Sequence, residues 1–173
     1  MSKAFTNEDS AAVERVVRVP PRLSPGEQRY VTPEGRRALQ QELALAVAER
    51  ERLSQSAEPA ATLGSKEAQL AELEQKAQSL AATLRTLTVL PPDPAQQGRA
   101  HFGAWVTLED DEGETRRYRL VGPAEADVKA GLISVDSPLA RALLGKSPGD
   151  EVVVERPRGK TSLTLVDVGA AVE

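Results

Sequence analysis

Between Leu63 and Leu87 an apolar residue returns every seventh position on two offset tracks. One track is Leu63, Leu70, Ala77 and Leu84; the other is Lys66, Leu73, Leu80 and Leu87, with Lys66 its only polar member. Glu, Gln, Lys, Ser and Thr hold most positions between them. Such a pattern is a helix with a narrow apolar seam, and a seam of that width needs a partner helix. Pro91 and Pro92 stop it. The partner lies upstream, in "YVTPEGRRALQQEL". There Thr32 suits the N-cap, Pro33 the first helical position and Glu34 the positive end of the dipole. Leu39, Leu43, Ala46, Arg50 and Leu53 then step by four and three, with Arg50 as a charged interruption. Pro59 forbids an unbroken helix, so the two segments form an antiparallel coiled-coil hairpin over 31–90. Helices of about 25 residues are roughly 37 Å long, and without a third helix much of each is exposed.

On either side the pattern changes. Residues 1–30 are polar, with Pro20, Pro21 and Pro25, and read as a flexible arm with a short helical stretch over 10–18. "PPDPAQQG", 91–98, reads as a linker. Beyond it, "AWVTL" and "RRYRLVG" flank "EDDEGE", a strand pair turning at Gly113, and "GLISVD" is a further strand. "SPLARALLG" carries a short helix's punctuation: Ser137 as N-cap, Pro138 first, Gly145 as C-cap. "PGDEVVVERPRGKTSLTLVDV" is a last hairpin turning at about Arg158-Gly159. The expected fold class is α+β: a coiled-coil hairpin followed by a compact domain over 99–170.

Composition narrows the chemistry. Aromatic residues make up only 3% of the chain, too few for an aromatic-lined pocket or a base-stacking platform. The net charge of −4 gives no global footprint for bare nucleic acid. There is no cysteine, which fits a reducing cytosol and a cytoplasmic location. His101 is the single histidine, so no histidine-based metal site is expected. "EDDEGE" is a turn without the spacing of a Ca²⁺ loop. Trp105 is expected to pack in the core or against the hairpin.

"VTPEGRRALQQEL", "FGAWVTLEDDEGETRRYRLVG" and "ISVDSPLARALLGKSPGDEVVV", in that order, closely resemble the bacterial transcript-cleavage factors of the GreA/GreB family, and the second half looks more like the GreB branch. The resemblance covers about residues 30–168. It implies an FKBP-like C-terminal domain docked at the rim of the secondary channel of bacterial RNA polymerase. The coiled coil then enters the channel with its tip beside the active site. Asp136, Ser137 and Pro138 match the docking segment, and Arg141 extends it. A structural role competes with docking: Ser-Pro starts a helix well, and Asp136 could support the same cap. Arg36 and Arg37 match a basic patch that contacts nascent, backtracked RNA, or are a solvated helix face.

Cleaving members carry an acidic tip motif of the form D-x-x-E-N, which helps hold a second Mg²⁺ for the polymerase's hydrolysis of RNA. Here the tip reads Gly64-Ser65-Lys66-Glu67, and the heptads resume at once. By alignment with the family's pattern it is roughly ten residues shorter, about 7 Å less reach if shared between two helices. Glu58 and Glu67 are the nearest carboxylates, on opposite arms, and Glu67 sits near a helix N-terminus. The expectation is a monomeric polymerase-binding regulator that lacks cleavage chemistry, needs no cofactor and competes with cleaving factors. The alternatives are a cleavage factor with an unusual tip sharing Mg²⁺ with the polymerase, a peptidyl-prolyl isomerase, or a tether without polymerase contact. The fold does not by itself confer isomerase activity.

Overall fold

The computed structural model describes residues 29–57, 63–156 and 159–169. The arm over 1–28, with its expected helical stretch, lies outside them, as do Phe5, Glu58, Pro59 and Arg158. Two helices, α1 (Pro33–Gln55) and α2 (Leu63–Thr86), form the hairpin. Leu39, Ala46 and Leu53 are buried on α1, and Ala77 on α2, as the seam requires. Arg50 interrupts the seam at no cost in unpaired charge, because its guanidinium bonds the Glu74 carboxylate across the hairpin. Lys76 pairs with Glu42 in the same way at 2.9 Å. Both pairs are partly exposed to solvent and worth at most about 1 kcal/mol each, so they serve register more than stability.

The hairpin's base departs from the heptad reading. α2 ends at Thr86, and Leu87–Val89 form strand β2, parallel to β1 (Arg29–Val31). Leu87 therefore leaves the helix, although it stays buried beside Val31 and Leu39. Thr88 and Val89 are β-branched, with Pro91 close behind, and the backbone finds a ladder in β1 instead. Arg29 and Tyr30, expected at the end of the arm, belong to that ladder. The Leu90 N–H extends it by donating to Val31 O at 2.9 Å.

The second domain is a five-stranded sheet in the order β5-β4-β3-β7-β6. Its strands are β3 (Trp105–Asp110), β4 (Thr115–Val121), β5 (Leu132–Ser134), β6 (Glu151–Arg156) and β7 (Gly159–Gly169). Only the β4–β5 pair is parallel. Val106, Leu108, Leu120, Ile133, Val152, Val154, Leu163 and Leu165 form the core, and helix α3 (Pro138–Leu143) covers it with Ala140 and Leu143. This is the expected α+β domain. Asp110 shapes the β3–β4 turn by accepting from Glu112 N and Glu114 N at 3.0 and 2.9 Å, with Gly113 at φ 80°. β7 starts at Gly159 opposite Arg156. Gly145, at φ 82°, stands one residue past the α3 C-cap, Leu144, rather than at it.

Candidate functional site

The expected docking segment lies between β5 and α3. Ser137 Oγ accepts from Ala140 N at 3.2 Å, and Pro138 opens the helix. Asp136 takes no part in that cap. Only its backbone N–H is engaged, with Ser134 Oγ at 3.1 Å, and its exposed carboxylate has no partner among the described residues. The competing structural account thus explains Ser137 and Pro138 but not Asp136. Arg141 is exposed on the same short helix. Beside Asp136 a notch of about 130 Å³ is lined by Tyr30, Phe102, Pro123 and Val135. Tyr30 and Phe102 meet edge to face there, with centroids 6.4 Å apart. The base of the hairpin and the segment that starts at Asp136 therefore meet at one notch.

Gly64, Ser65, Lys66 and Glu67 all lie in the first turns of α2. The Lys66 ammonium donates to the carbonyl of Ser56, the C-cap of α1. This explains the one polar residue on the α2 heptad track: it satisfies an orphan carbonyl at the end of the opposing helix, where a cation is also favoured. Glu67 is the fifth residue of α2, beyond the first turn, so the dipole does not account for it. It is exposed and has no partner among the described residues. Gly64 has open space where a Cβ would go. Gly64→Ala is therefore expected to raise the unfolding free energy by about 1 kcal/mol through helix propensity, read by urea denaturation. A destabilised variant would mean that the tip backbone is not helical.

Arg37 is occupied near the hairpin's base, where its Nε donates to Pro33 O at 3.4 Å and its guanidinium lies 3.9 Å from Glu34. The Arg36 guanidinium, half-buried, has no partner among the described residues and is the freer of the two for a phosphate. Trp105 is not in the core. Its ring lies under the guanidinium of Arg117 at 4.8 Å and that of Arg119 at 6.0 Å. Arg119 is buried, donates from Nε to Gly103 O at 3.1 Å, and reaches Glu34 at 3.0 Å. Trp105 thus packs neither in the core nor directly against the hairpin: it lies beside Arg119, which makes the ion pair to Glu34.

Burial would raise the Glu34 carboxyl, but its own backbone N–H, the adjacent Arg119 and then Arg37 outweigh burial and hold it below the usual glutamate range. A depressed folded value stabilises the fold above the unfolded value, and that contribution is lost as pH falls through the folded one. The stability gap between the protein and Glu34→Gln should therefore be open at neutral pH and close on acidification below about pH 4. Chemical denaturation at several pH values reads it. A gap that widens in acid would contradict the pairing.

Sequence reading missed Glu125, in "PAEADV", which is buried against Thr32 at the junction of the domains. Nothing in its local spacing marks it. A cavity of about 350 Å³ beside the 91–98 segment is lined by Pro92, Pro94, His101, Ala104 and Val168, with no Phe, Tyr or Trp among its lining. His101 is buried, with Nδ1 2.7 Å from Arg99 O. No helix among the described residues is long and apolar enough to cross a membrane.

Residues 95–170 match the family model described as transcription elongation factor, GreA/GreB, C-term. Over 149 residues the chain is 39% identical to transcription elongation factor GreB of Yersinia pestis, which covers 80% of this chain and 87% of that protein. It is 40% identical over 148 residues to the GreB of Pseudomonas aeruginosa, with 80% and 88% covered. Among solved structures, GreA factor homolog 1 of Thermus thermophilus is 25% identical and superposes with a TM-score of 0.39 over 83% of this chain and all of that one. The matches to GreB proteins cover four-fifths of the chain, well beyond the sheet domain, and the chain belongs to the GreA/GreB family of transcription elongation factors.

Proposed function

We propose that this protein binds bacterial RNA polymerase in the cytoplasm as a monomer, through Asp136, Ser137, Pro138 and Arg141. It inserts its hairpin into the secondary channel and competes there with cleaving members of the family. It is not itself an enzyme. Family membership supports the polymerase as partner, and the Asp136 carboxylate, exposed and unengaged beside a well-formed helix start, is the observation that carries docking.

The tip supports a non-cleaving role. Recruiting a second Mg²⁺ needs hard oxygen ligands brought together at one point. Among the described tip residues Glu67 is the one carboxylate, and Lys66 beside it is committed to the Ser56 carbonyl. Arg36, without a partner among the described residues, is the arginine in this reading that would meet nascent RNA within the complex.

The test is a backtracked elongation complex given this protein alone, then in competition with an acidic-tip factor. Alone, it should bind without shortening the RNA. In competition, cleavage should fall dose-dependently: at equal affinities and saturating concentrations occupancy halves, and a 1.4 kcal/mol advantage makes the split about tenfold. Raising the cleaving factor should relieve the suppression, whereas raising Mg²⁺ should not. Mg²⁺-dependent shortening that disappears in Glu67→Gln or Glu58→Gln would establish a cleavage factor instead.

A further inference from the structure

Neither docking nor the tip chemistry uses Glu125, yet its carboxylate is the most heavily bonded acidic group at the junction. Oε1 accepts from Thr32 N at 2.8 Å and from Gly122 N at 3.1 Å, and Oε2 accepts from Thr32 Oγ1 at 2.6 Å. Thr32 is fully buried and caps α1, with its Oγ1 accepting in turn from Gly35 N at 3.0 Å. An unbroken chain of hydrogen bonds thus runs from the sheet domain through Glu125 and Thr32 into the first turn of α1. Three convergent donors at the positive end of a helix call for an anion. The sequence has also made room for it, because a Cβ on Gly35 would lie 1.5 Å from Glu125 Oε2. A glycine in the first turns of a long helix costs about 1 kcal/mol relative to alanine, and the carboxylate is a physical reason for it.

The consequence is geometric. A 23-residue helix is a lever about 35 Å long, so a tilt of roughly 10° at Thr32 moves the tip by about 6 Å. We infer that Glu125 is a positioning residue that sets the direction of the hairpin relative to the docking segment, and so where the tip arrives once the protein has docked. This rests on the docking and insertion proposed above. Glu125 touches neither the polymerase nor the RNA in this account; it acts through Thr32.

The absence of native cysteines allows the test on the full chain. Spin labels on Ser65→Cys at the tip and Glu112→Cys at the far end of the β3–β4 turn report the angle as a distance distribution. The parent pair should give one narrow distance. Glu125→Ala should broaden or displace it by several ångströms, and Glu125→Gln, which keeps the Oε1 acceptor but not the Oε2 one, should fall between. Gly35→Ala, which adds one methyl and favours the helix, should have the same effect by evicting the carboxylate. In the Glu125→Ala background it should add nothing. Against polymerase, both alanine variants should keep their affinity within about threefold, while cross-linking from a photoreactive group on Ser65→Cys to the channel wall should fall about tenfold. A split between docking and tip-dependent effect is not expected of a residue that only holds the fold together.

An unchanged distance distribution in folded Glu125→Ala, or additive effects of the two substitutions, overturns the inference. Should Glu125→Ala not fold, Gly35→Ala alone decides: an unchanged distance there overturns it equally. Failure of the parent protein to bind polymerase overturns the proposed function while leaving the distances to judge Glu125.

Discussion

Changing Asp136 to Asn and Pro138 to Ala together is expected to lower affinity for RNA polymerase by more than about thirtyfold, since removing one partner of a docked charge costs 2 kcal/mol or more. Thermal unfolding should move by only a few degrees. Asp136 makes no side-chain bond among the described residues that the fold would lose. Pro138 contributes mainly by restricting the unfolded chain, worth about 0.4–1 kcal/mol, or roughly 2–4 °C in a protein of this size. Ser137 is deliberately left in place, because its hydroxyl caps α3 and its loss would cost about 1 kcal/mol of stability. Binding measured by fluorescence anisotropy and unfolding by calorimetry separate the two effects. Full affinity in a folded double variant would move the docking surface elsewhere.

Gly122→Ala is expected to do the reverse, damaging the fold at a position that touches no partner. A Cβ there would lie 2.0 Å from the backbone oxygen of Tyr30. A side chain could rotate away from such a clash, but Tyr30 is held in β1 by its pairing with β2. The sheet domain and the hairpin base must therefore separate, which pulls Thr32 away from the Glu125 carboxylate across the junction. Overpacking of this kind costs about 1–3 kcal/mol, and a backbone obstacle puts it at the upper end. A fall in melting temperature of about 5–10 °C follows for a chain of this length. An unshifted transition would mean that the two domains are not seated against each other at this point.

These two positions also mark what the sequence discloses and what it conceals. The heptad tracks, the Thr32 and Ser137 caps and the Gly113 turn were legible because each is a local pattern tied to a local conformation. Asp136 was legible only through the resemblance, since an exposed carboxylate has no local signature. The Leu87–Val89 strand was obscured because Leu87 satisfies the heptad period equally well in either state, and its partner lies at the other end of the hairpin. Glu125 was hidden for the same reason, 93 residues from the group it bonds. Lys66 showed on the page as a flaw in the pattern. Its purpose depends on Ser56, ten residues away across the turn between the helices.

The parallel pairing of β1 with β2 has a further consequence. It joins the residues just before α1 to those just after α2, so the hairpin is fastened at the end where its two strands of chain enter and leave. Most helical hairpins can fray from either end. This one is a zipper with a stop sewn into its base: opening must begin at the tip and work inward against an increasingly buried seam. The base of the hairpin thereby stays shut, and any parting of α1 from α2 is confined to the ends remote from β1 and β2.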